Sequence, residues 1–401
     1  MTEVWSLAAL WFALALVAVV LSILLRIANA LSEIIVGIAA GALIGAATLG
    51  VDQSWIKFLA GAGAIILTFL AGAELDPVVF RAKWKEATAV GLVSFAAPFL
   101  GCAAAAYYLL HWSVEASWLA GVALSTTSVA VVYAVMLEFG FNRTAYGKTM
   151  LAACFITDLG TVLALGFIFS PFTYKTLVFF GVTLAACLLL PRLTERLIAR
   201  HGSRASEIEA KFLLFVLFAL GALAAWAGSE PVLPAYVAGM LLAGTVGRDH
   251  ALVRRLRTLT FGLLTPFYFI RAGAYVSLPV LIAAPVAFLV LLLSKLAAKC
   301  AGVYPVTKLF GSANTEAMYT TLLMSTGLTF GSISALYGLS HDIVDQSQYS
   351  LLILAVIASA VVPTLIANAF YLPRHLLPAA DEGSESSPLP TASTGRTSKR
   401  R

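Results

Sequence analysis

Apolar residues fill long stretches of this chain, with neither the alternation of a half-buried strand nor the single stripe of a soluble helix. Thirteen stretches match the roughly 17–25 apolar residues that carry an α-helix across a bilayer. They lie near residues 5–25, 31–50, 55–73, 87–110, 117–137, 149–170, 176–198, 210–228, 231–247, 260–277, 280–305, 316–338 and 349–371. The pattern predicts an all-α polytopic membrane protein of about thirteen transmembrane helices. Residues 5–25 form a full-length apolar run without an A-x-A cleavage pattern, so they count as the first span. Residues 372–401 are rich in Ser, Pro, Glu, Lys and Arg and read as a disordered tail.

Charge sets an orientation for these spans. Basic residues follow the odd-numbered spans: Arg26; Arg81, Lys83 and Lys85; Arg143 and Lys148; Arg200, Arg204 and Lys211; Arg248, Arg254, Arg255 and Arg257; Lys308; and Arg374. Lys57 and Lys175 follow even-numbered spans. The positive-inside rule makes the odd side cytoplasmic, with the N-terminus outside and the C-terminus inside. Composition agrees with a membrane protein: 401 residues, 60% hydrophobic and 11% charged, with a mean hydropathy of +0.93. The net charge of +6 is accounted for by loops and tail and implies no nucleic-acid partner. Cys102, Cys154, Cys187 and Cys300 all lie in apolar runs without CxxC spacing, and read as small core residues.

One charge does not fit the pattern. Asp158 lies near the middle of the sixth run. A carboxylate at that depth costs roughly 2.5 kcal/mol or more, so its default reading is an ion or proton site, against a carboxylate locked to a structural partner. A desolvated carboxylate favours its proton and a nearby cation opposes that, so H⁺ and a hard cation compete for one group. Thr157, Ser125, Thr126, Thr127 and Ser128 can add hydroxyl ligands.

An internal repeat surrounds it. Ala123-Leu124-Ser125-Thr126-Thr127-Ser128 lies mid-span in the fifth run, and Leu323-Met324-Ser325-Thr326-Gly327 mid-span in the twelfth. Leu70-Ala71-Gly72-Ala73 and Arg271-Ala272-Gly273-Ala274 form a second matched pair. Seven spans separate the members of each pair, so the two copies have opposite topology. Spans one to six and eight to thirteen then form inverted repeats, with the seventh (176–198) as linker. Small hydroxyl residues also serve ordinary helix packing, but matched polar interruptions point to a secondary-transporter site built from crossed, broken helices. Broken ends at 125–128 and at Ser325, Thr326, Gly327 and Thr329 leave partial charges to be compensated. Lys295 and Lys299, one turn apart in the eleventh span, are the available cations, against snorkelling of either to the surface. Arg271 is also deep, without an evident partner. Glu33, Glu74 and Asp76 lie near span ends, where exposure is expected. There is no G-x-x-x-x-G-K-[ST] stretch and no haem, zinc or flavin motif. No cofactor is expected, and transport is driven by an ion gradient or is passive.

These residues resemble the bacterial monovalent cation/proton antiporters, in the second cation–proton antiporter branch. Phe69-Leu70-Ala71-Gly72-Ala73-Glu74-Leu75-Asp76 is similar to that family's third-helix end. Ala123-Leu124-Ser125-Thr126-Thr127 is similar to its broken helix, and Tyr146-Gly147-Lys148 with Phe155-Ile156-Thr157-Asp158-Leu159 to its ion-site helix. The resemblance covers about residues 5–371. It implies a homodimer in the bacterial inner membrane, with dimerisation helices (about 5–73 and 210–277) and a moving core (about 87–170 and 280–371). It makes Asp158 the carboxylate that alternately carries cation and proton. It also gives Lys299, nine residues before Lys308, the family's lysine role; depth alone favours Lys295, and both stand.

Two departures shape the expected activity. Some electrogenic members carry a second Asp where this chain has Thr157, so electroneutral exchange of one cation for one proton is expected. Potassium-efflux members carry Gly-x-Gly-x-Glu where this chain has Ser325-Thr326-Gly327-Leu328-Thr329, and a large cytoplasmic nucleotide-sensing domain where this chain has 372–401. Na⁺ is therefore the favoured cation, with K⁺ next. The alternative is a sodium-coupled symporter of an organic solute on a related fold, which Arg271 keeps open. A channel filter or a nucleophile–base constellation is not indicated.

Overall fold

The computed structural model describes residues 2–25, 28–73, 78, 83–141, 144–169, 173–201, 207–229, 231–244 and 250–377, and all regular structure among them is helical. The first four spans are α1 (Thr2–Leu25), α2 (Asn29–Leu43), α3 (Ser54–Ala73) and α4 (Trp84–Tyr108). The fifth is split into α5 (Val114–Ser125) and α6 (Val129–Glu138). Spans six to nine are α7 (Ala145–Phe169), α8 (Tyr174–His201), α9 (Ile208–Trp226) and α10 (Val232–Leu242). The tenth begins earlier than its apolar run: α11 (His250–Leu259) passes through a π-helical turn, Thr260–Leu264, into α12 (Thr265–Ala274). A short α13 (Leu278–Ala283) leads to α14 (Pro285–Leu309). The twelfth span is split into α15 (Asn314–Met324) and α16 (Thr329–Ser340), and α17 (Gln346–Phe370) is the thirteenth.

Among the described residues nine helices are long and apolar enough to cross a membrane, with α15 and α16 taken together; α2, α5 and α10 are apolar but shorter. This is a multi-pass membrane protein. Local chemistry sets several helix starts. The Ser113 hydroxyl accepts the Ala116 N–H at 3.2 Å to cap α5, and Asp345 with Gln348 forms a capping box on α17. Pro285 opens α14, where its missing N–H costs nothing.

The inverted repeat is legible in the packing. α2 lies against α12, and α3 against α10; those are spans two with ten and three with nine, which exchange under the repeat. Both contacts are backbone on backbone. A Cβ at Gly37 would run into the Ile270 carbonyl, and one at Gly273 into the Ile34 carbonyl. In the equivalent pair, a Cβ at Gly239 would meet the Phe69 carbonyl and one at Gly72 the Tyr236 carbonyl. Gly72 and Gly273 are the matched glycines of the sequence repeat, 201 positions apart. Small residues permit this approach between membrane helices, where dispersion and packing replace the hydrophobic drive. α4 packs on α5, α7 and α14, and α17 on α14, α15 and α16, so these helices surround the two split spans.

One sequence expectation is corrected here, the exposure of Glu33. Glu33 is 1% exposed, not at an exposed span end, because the close α2–α12 contact and α1 enclose that turn. Lys295 and Lys299 are 0% exposed, so neither snorkels: α14 is covered on that face by α4 and α17. Arg26, Glu74, Asp76, Arg81, Arg143, Arg204, Arg248, Glu230 and the tail beyond Leu377 lie outside the described residues.

Replacing Gly239 with Val forces the α3–α10 backbones apart. Overpacking of this kind costs about 1–3 kcal/mol, read as a lowered unfolding midpoint of the purified protein, whereas Gly181→Val on α8, where a Cβ meets open space, leaves the midpoint unchanged.

Candidate functional site

The site lies where the two split spans cross. Ser125, Thr126, Ser325 and Thr326 each turn their hydroxyl onto a carbonyl three or four residues back: Val122 at 2.8 Å, Ala123 at 3.3 Å, Thr321 at 2.7 Å and Leu323 at 2.7 Å. Such back-bonding competes with the helical ladder and favours termination. Thr126 is extended (φ −62°, ψ 155°), and Leu328 leaves the helical region altogether (φ −148°, ψ −74°).

The freed backbone groups are satisfied across the crossing. The Ser128 N–H donates to the Thr326 carbonyl at 3.0 Å, and the Thr127 hydroxyl donates to the Met324 carbonyl at 2.8 Å. The Ser128 hydroxyl in turn accepts the Val131 N–H at 3.3 Å and caps α6. Non-helical backbone at membrane depth persists only with such partners.

Three charged side chains surround the crossing. Asp158 on α7 is 2% exposed, and its Oδ1 has no hydrogen-bond partner. The Thr127 backbone amide and the Lys299 ammonium both act electrostatically on that carboxylate. The ammonium of Lys299 makes its hydrogen bonds to hydroxyls, Ser94 Oγ at 2.7 Å and Thr127 Oγ1 at 3.0 Å. Thr127 passes its own proton on to the Met324 carbonyl, so the Lys299 charge is directed at the C-terminal end of α15, where the helix dipole is negative. Lys295 donates to Ser359 Oγ at 2.9 Å. A Cβ on Gly327 would collide with Lys295 Nζ and crowd Thr126 Oγ1, which places this second ammonium at the C-terminal end of α5.

Each lysine thus bonds a serine on a neighbouring helix, Lys299 to Ser94 on α4 and Lys295 to Ser359 on α17.

Of the residues singled out from sequence, Asp158, Thr127 and Lys299 converge, and Lys295, Thr126 and Gly327 form the neighbouring group. Ser125 approaches the Thr161 hydroxyl at 3.3 Å. Ser325 bonds within its own helix, and Thr329 is half-buried at the start of α16. Thr157 turns toward α4: its hydroxyl reaches the Gly91 and Ala153 carbonyls, both at 3.1 Å, and fastens α7 to α4. Ser94, Thr161, Ser359 and Tyr236 were not singled out. A lone Ser or Thr in an apolar run looks like any packing residue. Tyr236 on α10 donates to the Phe155 carbonyl at 2.9 Å, one turn before Asp158, and packs edge-on against Phe330.

Arg271 does not enter the site. Its Nε donates to the Val51 carbonyl at 2.8 Å and its Nη2 to the Tyr275 hydroxyl at 3.1 Å, with Asp52 4.0 Å away. Asp52 also binds Lys57 at 2.9 Å. Hydrogen bonds from Lys57 and then Tyr275 hold the Asp52 carboxyl below the usual carboxylate range. Arg271 thus fastens the α2–α3 connection, and the organic-anion reading loses its cation.

A helical inverted repeat with crossed broken spans and a buried carboxylate at the crossing is a secondary transporter, not an enzyme. Residues 12–370 match the sodium/hydrogen exchanger transmembrane family, and the chain belongs to that family. It is 24% identical over 348 residues to the probable Na(+)/H(+) antiporter 3 of Methanocaldococcus jannaschii, covering 82% of this chain and 88% of that protein. It is 27% identical over 322 residues to the glutathione-regulated potassium-efflux protein KefC of Shigella flexneri, covering 73% of this chain but 49% of that protein. The fold matches that of the sodium proton antiporter MjNhaP1 from Methanocaldococcus jannaschii with a TM-score of 0.69 at 15% identity, over 91% of this chain and 97% of that one.

Gly327→Ala displaces Lys295 Nζ and Thr126 Oγ1 at the crossing. Misplacement on this scale at a reacting centre lowers turnover on the order of tenfold to a hundredfold, measured as cation-dependent dissipation of a pH gradient in vesicles with expression matched to wild type.

Proposed function

We propose that this protein exchanges a monovalent cation for H⁺ across the membrane, with Na⁺ favoured over K⁺, and that Asp158 is the group both occupy in turn. The observation that carries the reading is the buried Asp158 Oδ1 without a partner, set where the broken spans cross. The exchange is Asp158–COOH + Na⁺ giving Asp158–COO⁻·Na⁺ + H⁺. Hydroxyl and carbonyl oxygens of the broken segments suit a hard cation. Lys299 balances the carboxylate when neither is bound, and Lys295 does so for the other broken end. Because Thr157 adds no second charge, both loaded states carry the same net charge, and exchange is one for one.

The core about 87–170 and 280–371 carries the site past the panel about 5–73 and 210–277, which forms the homodimer contact, with 176–198 as linker. Tyr236 of the panel, bonded one turn from Asp158, is a contact such movement has to exchange. The basic residues after odd-numbered spans support an external N-terminus and a cytoplasmic C-terminus.

In everted vesicles, addition of Na⁺ dissipates a preformed pH gradient with wild type and fails to do so with Asp158→Asn; full exchange by the mutant overturns the assignment. The apparent KM for the cation rises as pH falls, up to about tenfold per pH unit, the limit for one proton displaced by one cation. An unchanged KM overturns the competition.

Charge balance is tested separately. Reconstituted protein under a Na⁺ gradient moves protons without a transport current on a supported membrane, and a sustained current overturns one-for-one exchange.

A further inference from the structure

Glu33 lies in the second turn of α2 and has no part in the Asp158 site. It is 1% exposed inside a membrane helix. Its hydrogen bond among the described residues is local: Asn29 Nδ2 donates to Glu33 Oε1 at 2.7 Å. The other oxygen of each partner, Glu33 Oε2 and Asn29 Oδ1, is buried without a hydrogen-bond partner. Two acceptors are therefore orphaned on the same i, i+4 pair.

Among the described residues no cation is at hand to hold an ionised Glu33. The side chains described on α1, residues 4–25, include no titratable group. On α12, Gly37 meets Ile270 and Gly41 meets Ala274, so the same four-residue step sets Glu33 level with Pro266, which has no N–H to offer. The charged and titratable groups of α12 and its continuation are Tyr268, Arg271 and Tyr275. Arg271 is engaged by the Val51 carbonyl and the Tyr275 hydroxyl. Tyr349 of α17, packed on the same helix, spends its hydroxyl on the Ala272 carbonyl. A buried carboxylate without countercharge is costly, and the usual escape is neutralisation.

One hydrogen resolves both orphans. If Glu33 is a carboxylic acid, Oε2–H donates to Asn29 Oδ1 while Asn29 Nδ2–H continues to donate to Oε1, and the pair closes as an acid–amide ring. We propose that Glu33 is a resident proton-binding site, holding its proton against Asn29 and distinct from the proton exchanged at Asp158. Its loss, Glu33–COOH giving Glu33–COO⁻ and H⁺ to water, leaves an unpaired charge beside the backbone-to-backbone contact of α2 with α12, which then has to admit water or part.

Infrared spectra of the purified full-length protein in liposomes at neutral pH test this. Wild type and Asp158→Asn show a carboxylic-acid C=O absorption that is missing from Glu33→Gln, so the Glu33 proton is read independently of the exchange site. A wild-type minus Glu33→Gln difference containing a carboxylate band instead, with or without Na⁺ present, overturns the proposal; dependence of that band on Na⁺ would mark a bound cation in the proton's place. Asn29→Leu keeps the acid but removes its partner, so the C=O band moves to that of a weakly hydrogen-bonded acid. An unmoved band also overturns the pairing.

Discussion

The structure depends on satisfying two stretches of unwound backbone at a depth where water cannot do it. Each break frees N–H and C=O groups whose exposure to hydrocarbon would cost several kcal/mol apiece. The crossing settles this by making each broken segment the partner of the other, through Ser128 to Thr326 and Thr127 to Met324. Neither span can break alone. That mutual requirement explains why the Ser/Thr interruptions occur in matched places, and why the surrounding helices α4, α7, α14 and α17 close around them.

The electrostatics follow from the same constraint. Two helices that stop mid-membrane present two negative C-terminal ends, and each is met by a fully buried ammonium. Lys299 reaches one through Thr127, and Lys295 lies at the other beside Gly327. The two lysines differ in their surroundings, since Lys295 bonds the Ser359 hydroxyl while Lys299 lies near Asp158. A symmetric scaffold thereby holds an asymmetric charge set, two fixed cations and one acid, and the acid is left with an unfilled oxygen. In the proposed exchange, that open oxygen is where the proton and the cation are received in turn.

A second layer serves a different purpose. α2 with α12 and α3 with α10 touch backbone to backbone through glycines, with Arg271, Asp52 and Lys57 fastening one end. Tyr236 and Tyr349 bridge the layers by donating to carbonyls on the facing helix. Contacts made by a few hydroxyls can be exchanged at small cost, whereas interlocked backbones cannot. This division suits the movement proposed above, of the crossing and its helices past the glycine-packed layer.

Much of this was written in the linear pattern. Run length gave the spans, small polar interruptions marked the breaks, and the depth of Asp158 marked the candidate site, because each reflects a cost that hydrocarbon imposes on any chain. The tertiary structure decided what depends on which way a side chain faces. Thr157, next to Asp158 in sequence, turns to Gly91 on α4 instead of the crossing. Lys295 and Lys299, which spacing could not separate, divide between the two broken ends. Arg271 finds Val51 and Asp52 across long separations, and Glu33 is enclosed by a helix contact made through glycines. Ser94 and Ser359 look like packing residues until α14 brings a lysine to each. Cost is local to a residue and can be read from its neighbours in the chain, but partnership is set by which helices meet, and only the folded bundle determines that.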